Sequence, residues 1–285
     1  MGNLRNLNFL SFENRAATAW APLLFAAFIG GQLFALLAFI RFFFRPTWDS
    51  HVAAGPFAIA ATGVVCALAC CFGEYLFHRY VLHIDPLRWL ERLCSSHRAH
   101  HKLTSIQFDD QAGRVRSAYP IMSAEHGDKS TFPPWALVAF FATVTPLFAL
   151  IAFASPGIPI LISGYASVAV AHWLYETIHT AHHEPFETFW KPKIACATFG
   201  RSWTWLYGFH QAHHANYRCN LNVAGFFGIP LADIAFGTYR RPEPLLIDGA
   251  AATKASARQL VTTPRWPIST IDRLILRRRR RLAKM

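Results

Sequence analysis

Most of the 14 histidines in this 285-residue chain fall into short motifs of one spacing. The pattern His-x-x-His-His occurs three times and places imidazoles at positions i, i+3 and i+4. On an α-helix these positions share one face, so two rings of a motif can bind one metal ion while the third faces a second ion. Neutral imidazole is a suitable ligand for iron, zinc, copper and nickel. The three motifs span residues 97–101, 179–183 and 210–214.

A further pair of histidines has a different spacing. His78 and His83 are five positions apart, so their rings diverge by about 140° on a regular helix. We therefore expect the helix that carries them to end or to distort between them. Two carboxylates lie nearby in the sequence, Glu74 one turn before His78 and Glu176 beside His179. Each is a candidate to orient a ring by accepting its N–H.

Two simpler interpretations of the histidines explain less. A structural zinc site usually takes four ligands and favours cysteine, whereas these motifs supply more than twice that number of histidines. A pH-sensing cluster would not need a recurring spacing. The motifs therefore predict a metal centre.

The elements that must position the motifs belong to an apolar chain. Hydrophobic residues make up 53% of the sequence and charged residues 15%, and the mean hydropathy is +0.22. This composition is typical of an integral membrane protein. The net charge of +12 could indicate a nucleic-acid partner, but the positive-inside bias and attraction to anionic lipid explain it in so apolar a chain. We expect no nucleic-acid partner.

Four apolar segments are long enough to cross a bilayer, which takes about 20 helical residues. Two of them come from one run without charged residues, which a Pro- and Gly-containing stretch interrupts. The predicted spans are residues 17–40, 52–73, 135–154 and 157–175, the histidine-rich cap is 77–131 and 176–240, and the basic tail is 241–285. The predicted fold is an all-α integral membrane protein: a single domain, 1–285, with four transmembrane helices and a helical cap.

Four spans place both termini on one side of the membrane. Nearly all of the 28 Lys and Arg residues lie on that side, so the positive-inside rule makes it cytoplasmic. All three His-x-x-His-His motifs lie there as well. We predict a multi-pass protein with its termini and cap in the cytoplasm. Its compact loops favour a bacterial inner membrane, with the endoplasmic reticulum as the alternative.

In this order, the segments HRYVLH, HRAHH, HTAHH and HQAHH resemble the histidine boxes of the fatty acid hydroxylase / sterol desaturase superfamily of membrane di-iron oxygenases. The sequence from Glu74 to His83 is most similar to the first box of fatty acid 2-hydroxylases, and Phe132-Pro-Pro also resembles them. The resemblance covers residues 74 to 220 approximately. It implies two metal ions at the cytoplasmic face of a four-helix membrane bundle.

The resemblance also implies the ligands, motif by motif. The implied ligands are His78, His83, His97, His100, His101, His179, His182, His183, His210, His213 and His214. His182 is included because it completes a His-x-x-His-His motif. His172, Glu74 and Glu176 are expected to surround the ligands.

The function that the resemblance implies is O2-dependent hydroxylation of a membrane lipid, with a fatty acyl chain as the expected substrate. The cofactors would be two iron ions, which zinc can replace in purified protein, and O2 would be the co-substrate. An apolar channel between the spans would lead the acyl chain to the metals. A separate electron donor, a ferredoxin or a cytochrome with its reductase, would dock on the basic face.

Other functions remain open at this stage. Within the enzyme class, the alternatives are a desaturase and a hydroxylase of a sterol, a carotenoid or a lipid headgroup. Outside it, the alternative is a non-redox zinc-binding membrane protein.

Overall fold

The computed structural model describes residues 21–84, 91–122, 130–241, 244–252 and 254–282. The described chain is mostly helical. The α-helices are α1 Ala21–Phe43, α2 Arg45–Ala53, α3 Gly55–Leu76, α4 Glu91–Leu103, α5 Ala136–Ala154, α6 Ile160–His182, α7 Lys191–Ile194, α8 Gly200–Ala215, α9 Leu231–Phe236, α10 Lys254–Gln259 and α11 Ile268–Leu282. Two π-helical segments, Phe77–Ile84 and Phe186–Trp190, and two strands, β1 Ile106–Asp109 and β2 Arg114–Ser117, complete the elements.

Within the described residues, three helices are long and apolar enough to cross a membrane. They are α1, α3 together with its π-helical continuation, and α5. These helices expose large apolar side chains: Phe34, Phe57 and Phe153 are 74%, 85% and 87% exposed. Contact with lipid removes such surfaces from water. The first three predicted spans are therefore confirmed as membrane-spanning candidates, although residues 17–20 of the first lie outside the described residues.

Helix α6 occupies the position of the predicted fourth span but is more polar, and it is not one of the three apolar candidates. It packs against α1, α3 and α5. The hydroxyls of Ser163 and Ser167 donate to the carbonyls of Ile59 and Gly63 on α3, at 2.8 and 3.0 Å. Hydrogen bonds of this kind hold helices together where lipid weakens hydrophobic association. Helix α6 is thus the inner helix of the bundle.

The polar part of the chain contains a small antiparallel sheet, which corrects the all-α prediction. Strands β1 and β2 pair Ile106 with Ser117. The Asp109 carboxylate accepts the N–H groups of Gln111 and Ala112, both at 3.0 Å, and Gly113 follows with φ +61°. The strands are only four residues long, so their alternation is too short to indicate a sheet.

The C-terminal helix is docked on the π-helical continuation of α3. Ile268 is fully buried in a cluster that contains Tyr75. The Asp272 carboxylate accepts hydrogen bonds from the Arg79 guanidinium, at 2.5 Å, and from the Tyr80 hydroxyl, at 3.0 Å. The first turns of the predicted basic tail are therefore part of the fold next to the histidine-bearing segment.

Helices α5 and α6 come closest at Gly164. A Cβ atom built on Gly164 would lie 2.6 Å from Cε2 of Phe148. The Phe148 ring in turn packs edge-on against Tyr165, with 5.2 Å between ring centroids. The contact leaves no space for a side chain at position 164.

We expect Gly164→Ala to lower the melting temperature of the detergent-solubilised protein, because overpacking of this kind costs about 1–3 kcal/mol. Gly63→Ala is the matched control, since a Cβ built on this helical glycine meets no heavy atom within 4 Å. Alanine there should raise stability slightly through its helix propensity, by up to about 1 kcal/mol. Thermal unfolding of both variants in the same micelle measures the difference. A Gly164→Ala variant as stable as wild type would contradict the packing described.

Candidate metal centre

The three His-x-x-His-His motifs lie at the C-terminal ends of α4, α6 and α8. Three helix C-termini therefore meet around the histidines. The last carbonyl groups of a helix carry a partial negative charge, which stabilises nearby cations. The backbone thus favours positive charge at the place where the imidazoles collect.

The π-helical segment brings the fourth pair of histidines together. A π-helix has i to i+5 hydrogen bonds, so residues five positions apart lie on the same face. The rings of His78 and His83 are stacked, with 5.0 Å between centroids and an interplanar angle of 16°. The distortion that their spacing predicts is confirmed.

Ten histidines form two groups that could each hold a metal ion. Within each group, the five candidate ligand atoms all lie within 4.8 Å of one another. Group one is His78, His83, His97, His101 and His213, and group two is His100, His179, His183, His210 and His214.

Two of the motifs divide between the groups as helix geometry predicts. In the α4 motif, two rings four positions apart, His97 and His101, join group one, and His100 faces group two. In the α8 motif, His210 and His214 join group two, and His213 faces group one. Each of these helices therefore contributes to both groups and links them.

The ring nitrogens of group one are spaced as ligands of a common ion would be. The Nε2 atom of His97 lies 3.1 Å from Nε2 of His78 and 3.2 Å from Nε2 of His83, which in turn lies 3.2 Å from Nε2 of His213. Two nitrogens bound at about 2.0–2.1 Å to one ion are separated by about 3 Å. The spacing therefore leaves room for a metal ion between the rings.

Backbone carbonyls fix the tautomer of two of these rings. Nδ1–H of His78 donates to the carbonyl of Leu221 at 2.6 Å, and Nδ1–H of His213 donates to the carbonyl of Cys219 at 2.9 Å. A neutral imidazole has one N–H, so each Nε2 then carries a lone pair. Converging lone pairs repel each other, and a cation between them removes the repulsion.

Group two is oriented in the same way. Nδ1–H of His179 donates to the carbonyl of Ser130 at 3.0 Å, and Nδ1–H of His183 donates to the carbonyl of Tyr119 at 2.8 Å. Nδ1 of His100 lies 2.8 Å from the Ser130 hydroxyl. The opposite nitrogen of His100 is buried without a hydrogen-bond partner among the described residues, which suits a nitrogen that binds metal.

The electrostatic surroundings keep these rings neutral. Burial holds the pKa of His100, His210 and His214 well below the ordinary value, and neighbouring imidazoles lower it further. Neutral imidazole is the form that binds a metal ion. These three rings are therefore in the protonation state that binds metal at neutral pH.

The hydrogen bonds of the two glutamates differ from the prediction. Glu74 accepts the backbone N–H groups of Val223, Ala224 and Gly225 at 2.5, 3.0 and 2.8 Å, and Glu176 accepts an N–H of the backbone, not of a ring. Backbone carbonyls take the place of these carboxylates as ring acceptors, since loops rather than helix side chains reach the Nδ1 atoms.

Each glutamate nevertheless supports one group through a loop. Glu74 holds the loop that directly follows Leu221, whose carbonyl orients His78 of group one. Glu176 accepts the N–H of Phe132 at 3.0 Å, two residues after Ser130, which contacts two rings of group two.

His182 and His172 lie outside both groups, so the structure does not bring the predicted ligand His182 to either metal position. His182 is fully buried and stacks on His210, with 4.8 Å between centroids. As in the other motifs, the middle histidine is turned about 100° from its neighbour His183, but on α6 that direction leads to Trp190, 6.4 Å away between ring centroids, rather than to a second group. His172 packs against Phe140 at 5.5 Å.

The cavity that reaches the histidines is polar. It measures about 650 Å³ and opens beside group one; its lining is His83, Arg98, His101, Lys102, Ser105, Gln107, His214, Ala215 and Tyr217. Two apolar cavities of about 310 and 620 Å³ lie against the bundle and the cap, and none of the ten histidines lines either one. Within the described residues, the histidines are therefore approached through the polar cavity and through a smaller one of about 100 Å³ beside His83, and the predicted apolar channel stays a prediction.

Comparisons of the chain with protein families, with characterised proteins and with solved structures find no match in any of the three. The site's own geometry therefore carries the functional argument, together with the resemblance of the histidine boxes.

We expect His210→Asn to reduce the metal content of the purified protein from two ions per chain to one, because it removes a group-two nitrogen. His182→Asn is the matched control: the two rings stack on each other and both are fully buried, but only His210 belongs to a group. Elemental analysis by inductively coupled plasma mass spectrometry measures both. Equal loss of metal from the two variants would contradict the grouping.

The glutamates should affect different ions. We expect Glu74→Gln to weaken the group-one ion and Glu176→Gln the group-two ion, each by about tenfold or more, as for other groups that support ligands. Combining Glu74→Gln with His213→Ala should then leave the group-two ion bound with normal affinity, whereas combining it with His210→Ala should leave only a weakened group-one ion. Glu187→Gln, on an exposed residue paired with a lysine, serves as the control. If the loss of metal in every double variant equalled the sum of the losses in its two single variants, the assignment of one glutamate to each group would be overturned.

Proposed function

We propose that this protein is a membrane-bound di-iron monooxygenase that hydroxylates a lipid. One observation carries the proposal: two adjacent groups of five histidines, each with its candidate ligand atoms gathered within 4.8 Å. The groups touch where His101 of group one stacks on His214 of group two, with 4.1 Å between centroids. Such a donor set is built for two neighbouring metal ions.

The residues present fit this cofactor. Every candidate ligand is an imidazole, which suits iron as well as zinc, copper and nickel. Five nitrogens per group exceed the four of a closed structural zinc site. The order of the histidine boxes favours iron, because it resembles the membrane di-iron oxygenases. Bound there, two iron ions would supply the electron transfer to O2 that inserts one oxygen atom into a C–H bond and releases the other as water.

The chain's own residues would divide the work between the two groups. Group two is the more enclosed: His179, His183 and His210 are at most 2% exposed and only His214 of this group lines the cavity, so it would bind its ion largely away from water. Group one borders the polar cavity through His83 and His101, so substrate would approach there. Tyr217 stacks on the His83 ring, with 5.2 Å between centroids, and restricts solvent access to that side.

The membrane arrangement completes the proposal. Helices α1, α3 and α5 would cross the bilayer, and α6 would cross among them, since it packs against all three with its polar groups directed inward. The basic segments would then keep the cap and both termini in the cytoplasm. A reduced ferredoxin or cytochrome would supply electrons at that face, and a bacterial inner membrane is the expected location, with the endoplasmic reticulum as the alternative.

A non-redox zinc protein is the second candidate, because the all-histidine donor set suits zinc equally well. Zinc has no redox chemistry, so a product of oxidation distinguishes the two functions. Desaturation of the same lipid is the alternative within the enzyme class.

The decisive experiment is mass spectrometry of total lipids from cells that express wild type or His213→Ala together with an electron donor. We expect a lipid one oxygen atom heavier with wild type only, because His213 lies in group one. His182→Asn serves as the control and should retain the product. Loss of two hydrogens would indicate a desaturase. Lipid profiles identical to the empty vector, with wild-type protein present and loaded with zinc, would support the non-redox candidate instead.

A further inference from the structure

The cavity beside group one is cationic as well as polar. Arg98 and Lys102 line it together with ligands of both groups, and none of the described lining residues carries a carboxylate. Both are exposed residues of α4, one turn apart, and each follows a group-one histidine directly in the sequence. Within the described residues neither forms a salt bridge or a side-chain hydrogen bond.

This arrangement of charge has a cost. Like charges at positions i and i+4 of a helix repel each other. Two metal ions held by neutral imidazoles would add further positive charge a few ångströms away. An anion bound in the cavity removes the repulsion, and none of the described residues that line the cavity supplies one.

We infer that the cavity binds a phosphate or carboxylate group of the substrate, with Arg98 and Lys102 as the cationic contacts. Arginine forms paired hydrogen bonds with such oxygens, and lysine acts as a point charge. Ser105 and Gln107 line the same cavity and add neutral donors. A volume of about 650 Å³ lies within the range of small-molecule sites, about 300–1,000 Å³.

The position of the cations narrows the substrate class. Arg98 and Lys102 line the same cavity as the ligand rings of His83, His101 and His214. An anionic group held by both therefore lies close to the metal position. Resting on the proposed function, the inferred substrate is an anionic amphiphile that is oxidised near its charged end rather than in the middle of its chain.

The cavity favours a small anion over a docked acidic protein. The two cations line a concavity beside three ligand rings, His83, His101 and His214, and an electron donor of protein size could not enter a space of this volume. The basic surface outside the cavity remains for such a partner. The two kinds of partner therefore depend on different residues.

The test is isothermal titration calorimetry of the full chain in a neutral detergent, with decyl phosphate, inorganic phosphate and uncharged decanol as probes. The test variant is Arg98→Gln/Lys102→Gln. The matched control is Arg201→Gln/Arg258→Gln, which removes the same charge from two exposed arginines that do not line the cavity.

We expect wild type and the control to bind decyl phosphate equally, and the test variant to bind it at least about tenfold more weakly. Decanol should show no difference between the variants. If both double variants bind decyl phosphate equally weakly, the effect comes from the overall charge of the protein, and the inference is overturned. If the test variant binds decyl phosphate as wild type does but its metal centre is reduced more slowly by the electron donor, the two cations bind a protein partner. That result would overturn the inference as well.

Inorganic phosphate distinguishes the source of the anion. Affinity at least tenfold below that of decyl phosphate would support an amphiphilic substrate, whereas equal affinity would assign the site to a free anion and overturn the assignment to substrate. Metal content is measured in the same samples. If wild-type protein with normal metal content binds decyl phosphate but forms no oxidised lipid, the proposed reaction is refuted and the anion site is not.

Discussion

The converging lone pairs of ten clustered imidazoles, eight of them buried, are the constraint on which the rest of the structure depends. A buried polar group is costly unless it is hydrogen-bonded or binds an ion. A buried ring that directs one nitrogen at the metal position therefore needs a hydrogen-bond partner for its opposite nitrogen. For His78 and His213 the outer partner is a backbone carbonyl of the segment 219–225.

That requirement explains why the segment 219–225 is held so firmly. Asn220 adopts a left-handed conformation with φ 52°, which asparagine tolerates better than most residues, and its side chain donates to the carbonyls of Phe209 and Arg240. The Asn222 side chain bonds to the carbonyl of Cys71 at 2.8 Å. The Asn222 bond and the Glu74 carboxylate tie the loop to α3, the helix whose continuation carries His78 and His83, and Asn220 ties it to α8.

The membrane bundle and the metal centre are joined through two irregular features. The π-helical segment lets a membrane helix end in two histidines on one face, and π-bulges inside helices are frequent at functional sites. Helix α6 can carry polar residues within an apolar bundle because backbone carbonyls of a neighbouring helix accept their hydrogen bonds. The carbonyl of Ile59, for example, accepts one from the Ser163 hydroxyl. Its last turn then reaches the cap with Glu176 and His179. Group two is thereby mostly closed, with only His214 at the cationic cavity, while group one borders that cavity through His83 and His101.

The sequence by itself determined what depends on local periodicity. Apolar segments of sufficient length predicted α1, α3 and α5, and the spacing of His78 and His83 predicted a distorted helix. The i, i+3, i+4 pattern predicted that each motif would serve two metal positions, and the α4 and α8 motifs do contribute to both groups, whereas the α6 motif contributes to one. These features follow from the rise and twist of a helix, which near neighbours in the sequence set.

Tertiary structure alone decided how the helices combine. It assigned each ring to a group, excluded His182, replaced the predicted carboxylates with carbonyls, and formed the short hairpin and the cavity around Arg98 and Lys102. These outcomes depend on contacts between residues far apart in the chain: the carbonyl that orients His78 belongs to a residue 143 positions away. No local pattern encodes such a contact, because the packing of whole helices determines it.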